Sequence, residues 1–182
     1  MRMSLLFACC VLSLVTLGHA AEGNTFTIGE GKLELTAPAT WSKKEPASRI
    51  VEVEYAIPPA KADETPGRLT AMGAGGSVES NIDRWVGQFA GEAGAAVKAK
   101  RDKTTVSGSE VEVVDLSGTY KDSPGGPFAG GKTVMRENYR MLGAIIQTKD
   151  RGNYFLKLYG PKATIDENEK GFQDMVKSLK VK

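Results

Sequence analysis

From Tyr139 to Leu179 the chain reads YRMLGAIIQTKDRGNYFLKLYGPKATIDENEKGFQDMVKSL, and two periodicities meet inside it. Tyr139 to Thr148 and Asn153 to Tyr159 are strand-like runs. Asp150-Arg151-Gly152 between them supplies turn-forming residues, so the pair reads as a β-hairpin. From about Ile165 to Leu179 the period lengthens, and Phe172, Met175, Val176 and Leu179 fall on one stripe of a helix. Thr164-Ile165-Asp166-Glu167 fits a capping box, in which Glu167 reaches back to the Thr164 amide. Acidic residues in the first turns and Lys177 and Lys180 at the end suit the helix dipole.

Working outward, period two dominates. Leu33, Leu35 and Ala37 alternate with Lys32, Glu34 and Thr36, and Val51, Val53, Tyr55 and Ile57 alternate with Glu52, Glu54 and Ala56. One apolar and one polar face is the mark of a half-buried antiparallel strand. Arg68 to Ala74, Val97 to Val106 and Glu110 to Tyr120 are further strand-like runs, the last two joined by Ser107-Gly108 as a hairpin. A first helix is expected over Val78 to Phe89, where Val78, Ile82, Trp85, Val86 and Phe89 line one side. Ser77 is its expected N-cap and Gly91 its stop. Many strands with two helices predict an α+β domain, an antiparallel sheet packed with helices, rimmed by long loops at Pro58 to Gly67 and Lys121 to Lys132.

The N-terminus has the three parts of an export signal. Arg2 is the positive start, Leu5 to Leu17 the apolar stretch, and Gly18-His19-Ala20 places small side chains at the −3 and −1 positions. The expected organisation is therefore a signal peptide over residues 1–20 and one globular domain over residues 21–182. The apolar run is shorter than the roughly 20 residues a membrane span requires. Leu6-Phe7-Ala8-Cys9 distantly resembles a lipidation site, but acylation of Cys9 would leave Val11 to Leu17 as an apolar tail, and no stable anchor is expected.

Cleavage changes the chemistry that remains. Cys9, Cys10 and His19 are the only cysteines and histidine in the chain, and all three leave with the signal. The domain then folds without disulfides, on a core that about 160 residues suffice to build. Its balance is 23 basic against 22 acidic residues, from the 24 and 22 of the whole chain less Arg2, with no long block of one sign. Lys98, Lys100, Arg101 and Lys103, interrupted by Asp102, read as a solvated strand edge rather than a nucleic-acid face.

Gly126 to Thr133 (GPFAGGKT) matches the phosphate-loop pattern letter for letter. That pattern acts only between a parallel strand and a helix, and Tyr139 onward reads as a strand, so no nucleotide is expected. Without His or Cys, the usual catalytic triads and zinc sites lack their base and ligands. Carboxylates remain: Asp115, Asp83, Asp166, Glu110 and Glu112 are the acids available for acid–base work or calcium. Glu110 and Glu112, about 7 Å apart on one strand face, read as solvated. Asp115 shares a face with Val111 and Val113, and if it points inward it requires a partner, which makes it the possible functional acid. Gly73 to Ser77 reads as a flexible entry to the first helix. Asn81, Arg84 and Gln88 form a polar stripe on that helix and are the expected binding residues. Trp41 and Trp85 are expected as core anchors.

Residues 75–89 (GGSVESNIDRWVGQF) resemble a group of uncharacterised exported bacterial proteins. Leu142 to Ile146, Tyr154 to Pro161 and Leu33 to Trp41 extend the likeness over most of the domain. The group is similar to PsbP-like folds, an α/β/α sandwich, and the resemblance implies a binding or assembly subunit and no catalytic residues. The leading expectation is an exported, non-enzymatic domain without a cofactor, which binds a protein or envelope component through the first helix and the long loops. A carboxylate-based enzyme or calcium-dependent module is the second reading. A structural subunit of an envelope complex is the third.

Overall fold

Tyr154, Leu156 and Leu158 turn to one side of their strand, while Phe155, Lys157 and Tyr159 turn to the other, and this alternation places a core on each face of the sheet. The computed structural model describes residues 23–123, 132–150 and 152–182. The expected signal segment, including Cys9, Cys10 and His19, lies outside these residues, as do residues 124–131 and Arg151.

The strands are β1 (Asn24–Ile28), β2 (Leu33–Ala37), β3 (Ser42–Lys44), β4 (Val53–Ile57) and β5 (Gly67–Ala74) before the first helix, α1 (Val78–Gly87). After it come β6 (Phe89–Ala90), β7 (Lys100–Val106), β8 (Ser109–Asp122), β9 (Val134–Thr148) and β10 (Gly152–Pro161). The second helix, α2 (Lys162–Lys177), and β11 (Lys180–Val181) complete the described chain. Eight strands form one antiparallel sheet in the order β3-β4-β5-β10-β9-β8-β6, with β7 also paired to β8. β1, β2 and β11 form a second sheet of three.

α2 and the small sheet cover one face. Trp41, Phe172 and Met175 pack there with Leu35, Tyr55 and Leu156. α1 covers part of the other, where Ile82, Trp85 and Phe89 meet Val114, Met141 and Phe155. Each such side chain contributes about 1.5–3 kcal/mol by leaving water. The expected α+β architecture, an antiparallel sheet between helices, is the one observed, and both tryptophans anchor cores.

Local chemistry explains where elements begin and end. Ser77 caps α1 as expected, its Oγ accepting from the Ser80 amide at 3.1 Å. The helix stops at Gly87, earlier than the Gly91 stop expected, because Phe89 and Ala90 join β8 as a strand, opposite Tyr120 and Thr119. Ser107 and Gly108 take φ of 51° and 77°, the two positive values a two-residue hairpin turn of the mirror-image type requires.

α2 corrects the capping-box reading. It starts at Lys162 after Pro161, and its first turn carries no acidic residue. Thr164 lies buried inside the helix, where its amide and hydroxyl both donate to Asp63 Oδ2, at 2.9 and 2.6 Å, and its Oγ1 accepts from the Ala60 amide at 3.0 Å. A carboxylate from the loop after β4 thus satisfies a free amide that a local cap would otherwise hold.

The rim loop expected at Lys121 to Lys132 is shorter than its sequence suggests, since Asp122 pairs with Val134 and lengthens the β8–β9 arm. Lys132 and Thr133 lead into a strand, and residues 126–131 of the phosphate-loop match lie outside the described residues. Between Gly118 and Tyr120 the register shifts by one residue, with Asn138 at φ 54°, so Tyr120 pairs with Arg136. This bulge places Arg136 on the α1 face along with Tyr139.

Candidate functional site

Lys157 stands near the middle of the large sheet, on the face that α1 covers only in part. Its neighbours on that face of β10 are Phe155, under Trp85, and Tyr159, at the open side. Gln88, the residue that ends α1, reaches down so that its Oε1 accepts from Lys157 Nζ at 2.6 Å. The ammonium also donates to the Tyr120 hydroxyl at 3.2 Å. It lies 4.9 Å from the centre of the Tyr120 ring and 4.5 Å from that of Tyr159, inside the range of cation–π attraction.

The aromatic lining is continuous. Tyr120 contacts Tyr159 at 5.1 Å between ring centres, stacks parallel on Tyr139 at 6.0 Å and meets Phe89 at 5.2 Å. Arg68 on β5 closes one end, giving Nη1 to the Tyr159 hydroxyl at 3.0 Å and gripping Glu54 of β4 with two bonds of 2.9 and 2.7 Å. Arg136 pairs with Asp122 at 3.3 Å at the other.

Electrostatics follow from this enclosure. Burial lowers the Lys157 pKa to about 7, helped by repulsion from Arg68 and Arg84 and opposed by Asp122. Burial likewise raises the phenols of Tyr120 and Tyr139 above their usual value. Lys157 is thus an amine that changes charge near neutral pH, and its hydrogen-bond partners are a neutral amide and a phenol.

The three polar residues of the α1 stripe occupy different settings. Asn81 is only 1% exposed, and its amide donates to the Gly75 and Ser77 carbonyls at 3.2 and 2.8 Å, fixing the glycine-rich entry to the helix. Arg84 is exposed and bonds the Asn81 side-chain oxygen. Gln88 belongs to the Lys157 cluster. Asp115 meets Arg140 through two bonds of 3.0 and 2.9 Å on the opposite face, where Arg140 also holds Asp166 and Glu169 of α2 at 2.8 Å each. Asp83 is exposed on α1.

Glu112 is the clearest correction to the acids: it is 1% exposed rather than solvated, because Arg101 of β7 bonds it from the neighbouring strand. The same guanidinium grips Glu79 of α1 with two bonds of 2.7 and 2.6 Å, so one member of the basic cluster ties the sheet edge to the helix. Among the described residues, no group of three or more acids, cysteines or histidines is placed to hold a metal ion. Sequence reading passed over Lys157, Tyr120 and Tyr159. A lysine alternating with Phe155 and Tyr159 inside an apolar strand was the available signal.

One of two shallow clefts, of about 380 Å³ beside Asp63 and Asn138, reaches the edge of this cluster at Arg136 and Tyr139. The other, of about 540 Å³, lies between α2 and the exit of β2.

No protein-family model and no curated protein sequence matches the chain. Solved structures do. The solution structure of cyanobacterial PsbP (CyanoP) from Synechocystis aligns with a TM-score of 0.53 at 11% identity, over 94% of this chain and 99% of that one. The fold is PsbP-like. LpqN of Mycobacterium tuberculosis, described as involved in cell envelope biogenesis, aligns at 0.51 and 12% identity over 90% of this chain and 87% of its own. The Ran-binding protein Mog1p of Saccharomyces cerevisiae aligns at 0.54 and 10% over 87% and 95%. At such identities the likeness is one of architecture.

Proposed function

We propose that this chain is an exported, non-enzymatic binding or assembly domain that takes a protein partner, from the envelope or anchored to it, on the α1 face of its sheet. The observation that carries this reading is the composition of that face. Exposed Arg84, the Gln88–Lys157–tyrosine cluster and Val134 (38% exposed), which alternates with Arg136 on the β8–β9 arm, all belong to it. An exposed apolar side chain with arginine and tyrosine on one face is the composition of recognition surfaces. The PsbP-like fold supports a binding role, and LpqN's printed link to the envelope supports that location. The N-terminal sequence supports export, and none of the described helices is long and apolar enough to cross a membrane.

The carboxylate-based alternative centres on Asp115 or Asp83. Asp115 is engaged by Arg140, and no observation favours that reading over the first.

The test places a photo-crosslinking amino acid at position 84 or 134, and at position 170 on α2 as the opposite-face control, in the full chain expressed in its own cells. Partner crosslinks from 84 and 134 but not from 170 are expected. Equal capture from all three positions, or from 170 alone, would sink the reading.

A further inference from the structure

We propose that the α1 face seats a carboxylate, presented by an acidic segment of the protein partner, between the Arg84 guanidinium and the Lys157 ammonium. The inference rests on the binding reading above and adds the partner's chemistry.

A count of charges on the face leads to it. Arg68 is neutralised by Glu54 at 2.7 Å and Arg136 by Asp122 at 3.3 Å. Two cations remain. Arg84 bonds only the neutral Asn81 oxygen, which leaves most of its five N–H donors uncommitted. Lys157 bonds only the Gln88 oxygen and the Tyr120 hydroxyl, and keeps a third donor. Residues 84 and 88 lie one helical turn apart on α1, so the oxygen that holds Lys157 belongs to the surface that presents Arg84.

An enclosed ammonium is costly without a counter-charge: burial first, and then repulsion from Arg68 and Arg84, lowers the Lys157 pKa to about 7. A carboxylate entering from solvent would accept from both unpaired cations, and the Gln88 side-chain NH2 stands beside them as a further donor. The tyrosine rings would exclude water beneath it, which strengthens charge-assisted bonds. A single carboxylate matches the charge available, since Arg68 and Arg136 are already held by Glu54 and Asp122 and too few cations are left over for a polyanion.

The test is a titration of the full domain with the peptide acetyl-Gly-Glu-Gly-Glu-Gly-amide, followed by NMR of the Arg84 Nε–H, the Gln88 side-chain amide and the Lys157 Cε methylene. Saturable shifts confined to these groups are expected. Arg84→Gln and Lys157→Met should each weaken them at least tenfold, and the matching Gln peptide should leave the spectrum still. Arg84 is exposed and Met preserves the apolar stem of Lys157, so both variants keep the fold, which the remaining NMR signals report.

Affinity should also fall between pH 6 and 8.5. The groups facing Lys157 are Gln88 and Arg84 from α1, Arg68 from β5, Tyr120 and Asp122 from β8 and Tyr159 on its own strand, with Tyr139 of β9 behind Tyr120. Loss of the lysine's proton is the change that weakens a bound carboxylate.

Acetate and inorganic phosphate provide the comparison arms. Acetate producing the same shifts with affinity equal to the peptide's would overturn the protein source in favour of a small acid, and tighter binding of phosphate would overturn the carboxylate. Crosslinking from position 84 that persists while the peptide moves nothing would overturn this inference and leave the binding-domain reading standing. Peptide binding without any crosslinked partner would overturn that broader reading instead.

Discussion

Trp85 rests directly on the backbone of Gly143: a Cβ at that glycine would stand 2.4 Å from the indole. The ring also meets Phe155 edge-on at 5.9 Å, so α1 is fixed to β9 and β10 by one side chain fitted to a missing one. Gly143→Ala must push the helix outward. We expect a loss of about 1–3 kcal/mol in urea unfolding and a shift in tryptophan fluorescence. Trp85→Ala should cost about 3–5 kcal/mol. Unchanged stability in Gly143→Ala would show that α1 is free to slide.

Thr164→Val keeps the shape of a buried side chain and removes its hydroxyl. Asp63 then loses the 2.6 Å bond and the Ala60 amide loses its acceptor. We expect a cost of about 1–3 kcal/mol, with faster amide exchange over residues 58–66, measured by mass spectrometry. Protection unchanged in that loop would break the link drawn between it and α2.

Lys157 makes stability depend on pH with a definite sign. Its folded pKa of about 7 lies below its ordinary value, so the unfolded chain binds the extra proton above pH 7. Stability should therefore rise from about pH 7 upward, by at most about 1.4 kcal/mol per pH unit, and the gain is absent below pH 7, where both states are protonated. Lys157→Met should flatten this profile and unfold at higher temperature at pH 6. Thermal melts of the two proteins across pH 6 to 9 would show it, and parallel curves would refute it.

Arg140 joins three carboxylates from β8 and α2. Arg140→Gln should cost more than Asp115→Asn, about 2–4 kcal/mol at pH 7, because it leaves Asp115 and Glu169 without this cation and Asp166 with Lys162 alone. Burial pushes the Asp166 carboxyl up, but bonds from Lys162 and Arg140 outweigh it and hold it below its usual value. Its contribution is present above the unfolded pKa and lost as pH falls through the lower folded one, so the penalty of the variant should shrink by pH 3. Denaturation at both pH values checks the sign.

Alternation in Leu33 to Ala37 and Val53 to Ile57, the Ser107-Gly108 turn and the Ser77 cap were legible because each depends on neighbours in sequence. The start of α2 was not, since the carboxylate that serves its first turn comes from Asp63, about a hundred residues earlier. β6 and β11 hold two residues each, too few for any period. Glu112 read as solvated because its partner Arg101 belongs to a neighbouring strand, and register is invisible before strands pair. The polar stripe of α1 was legible as a spacing of three and four, but not the burial of Asn81 or the descent of Gln88 onto Lys157.

The pairing of β5 with β10 has a consequence for how this chain reaches its fold. Residues 67–74 must wait for a partner at 152–161, so until that segment has been made the sheet stands in two halves with no α2 to shield it. Closing so long a loop is slow, and it comes late. Such a chain stays pliable until β10 has been synthesised, the condition in which a polypeptide can still be threaded through a narrow pore.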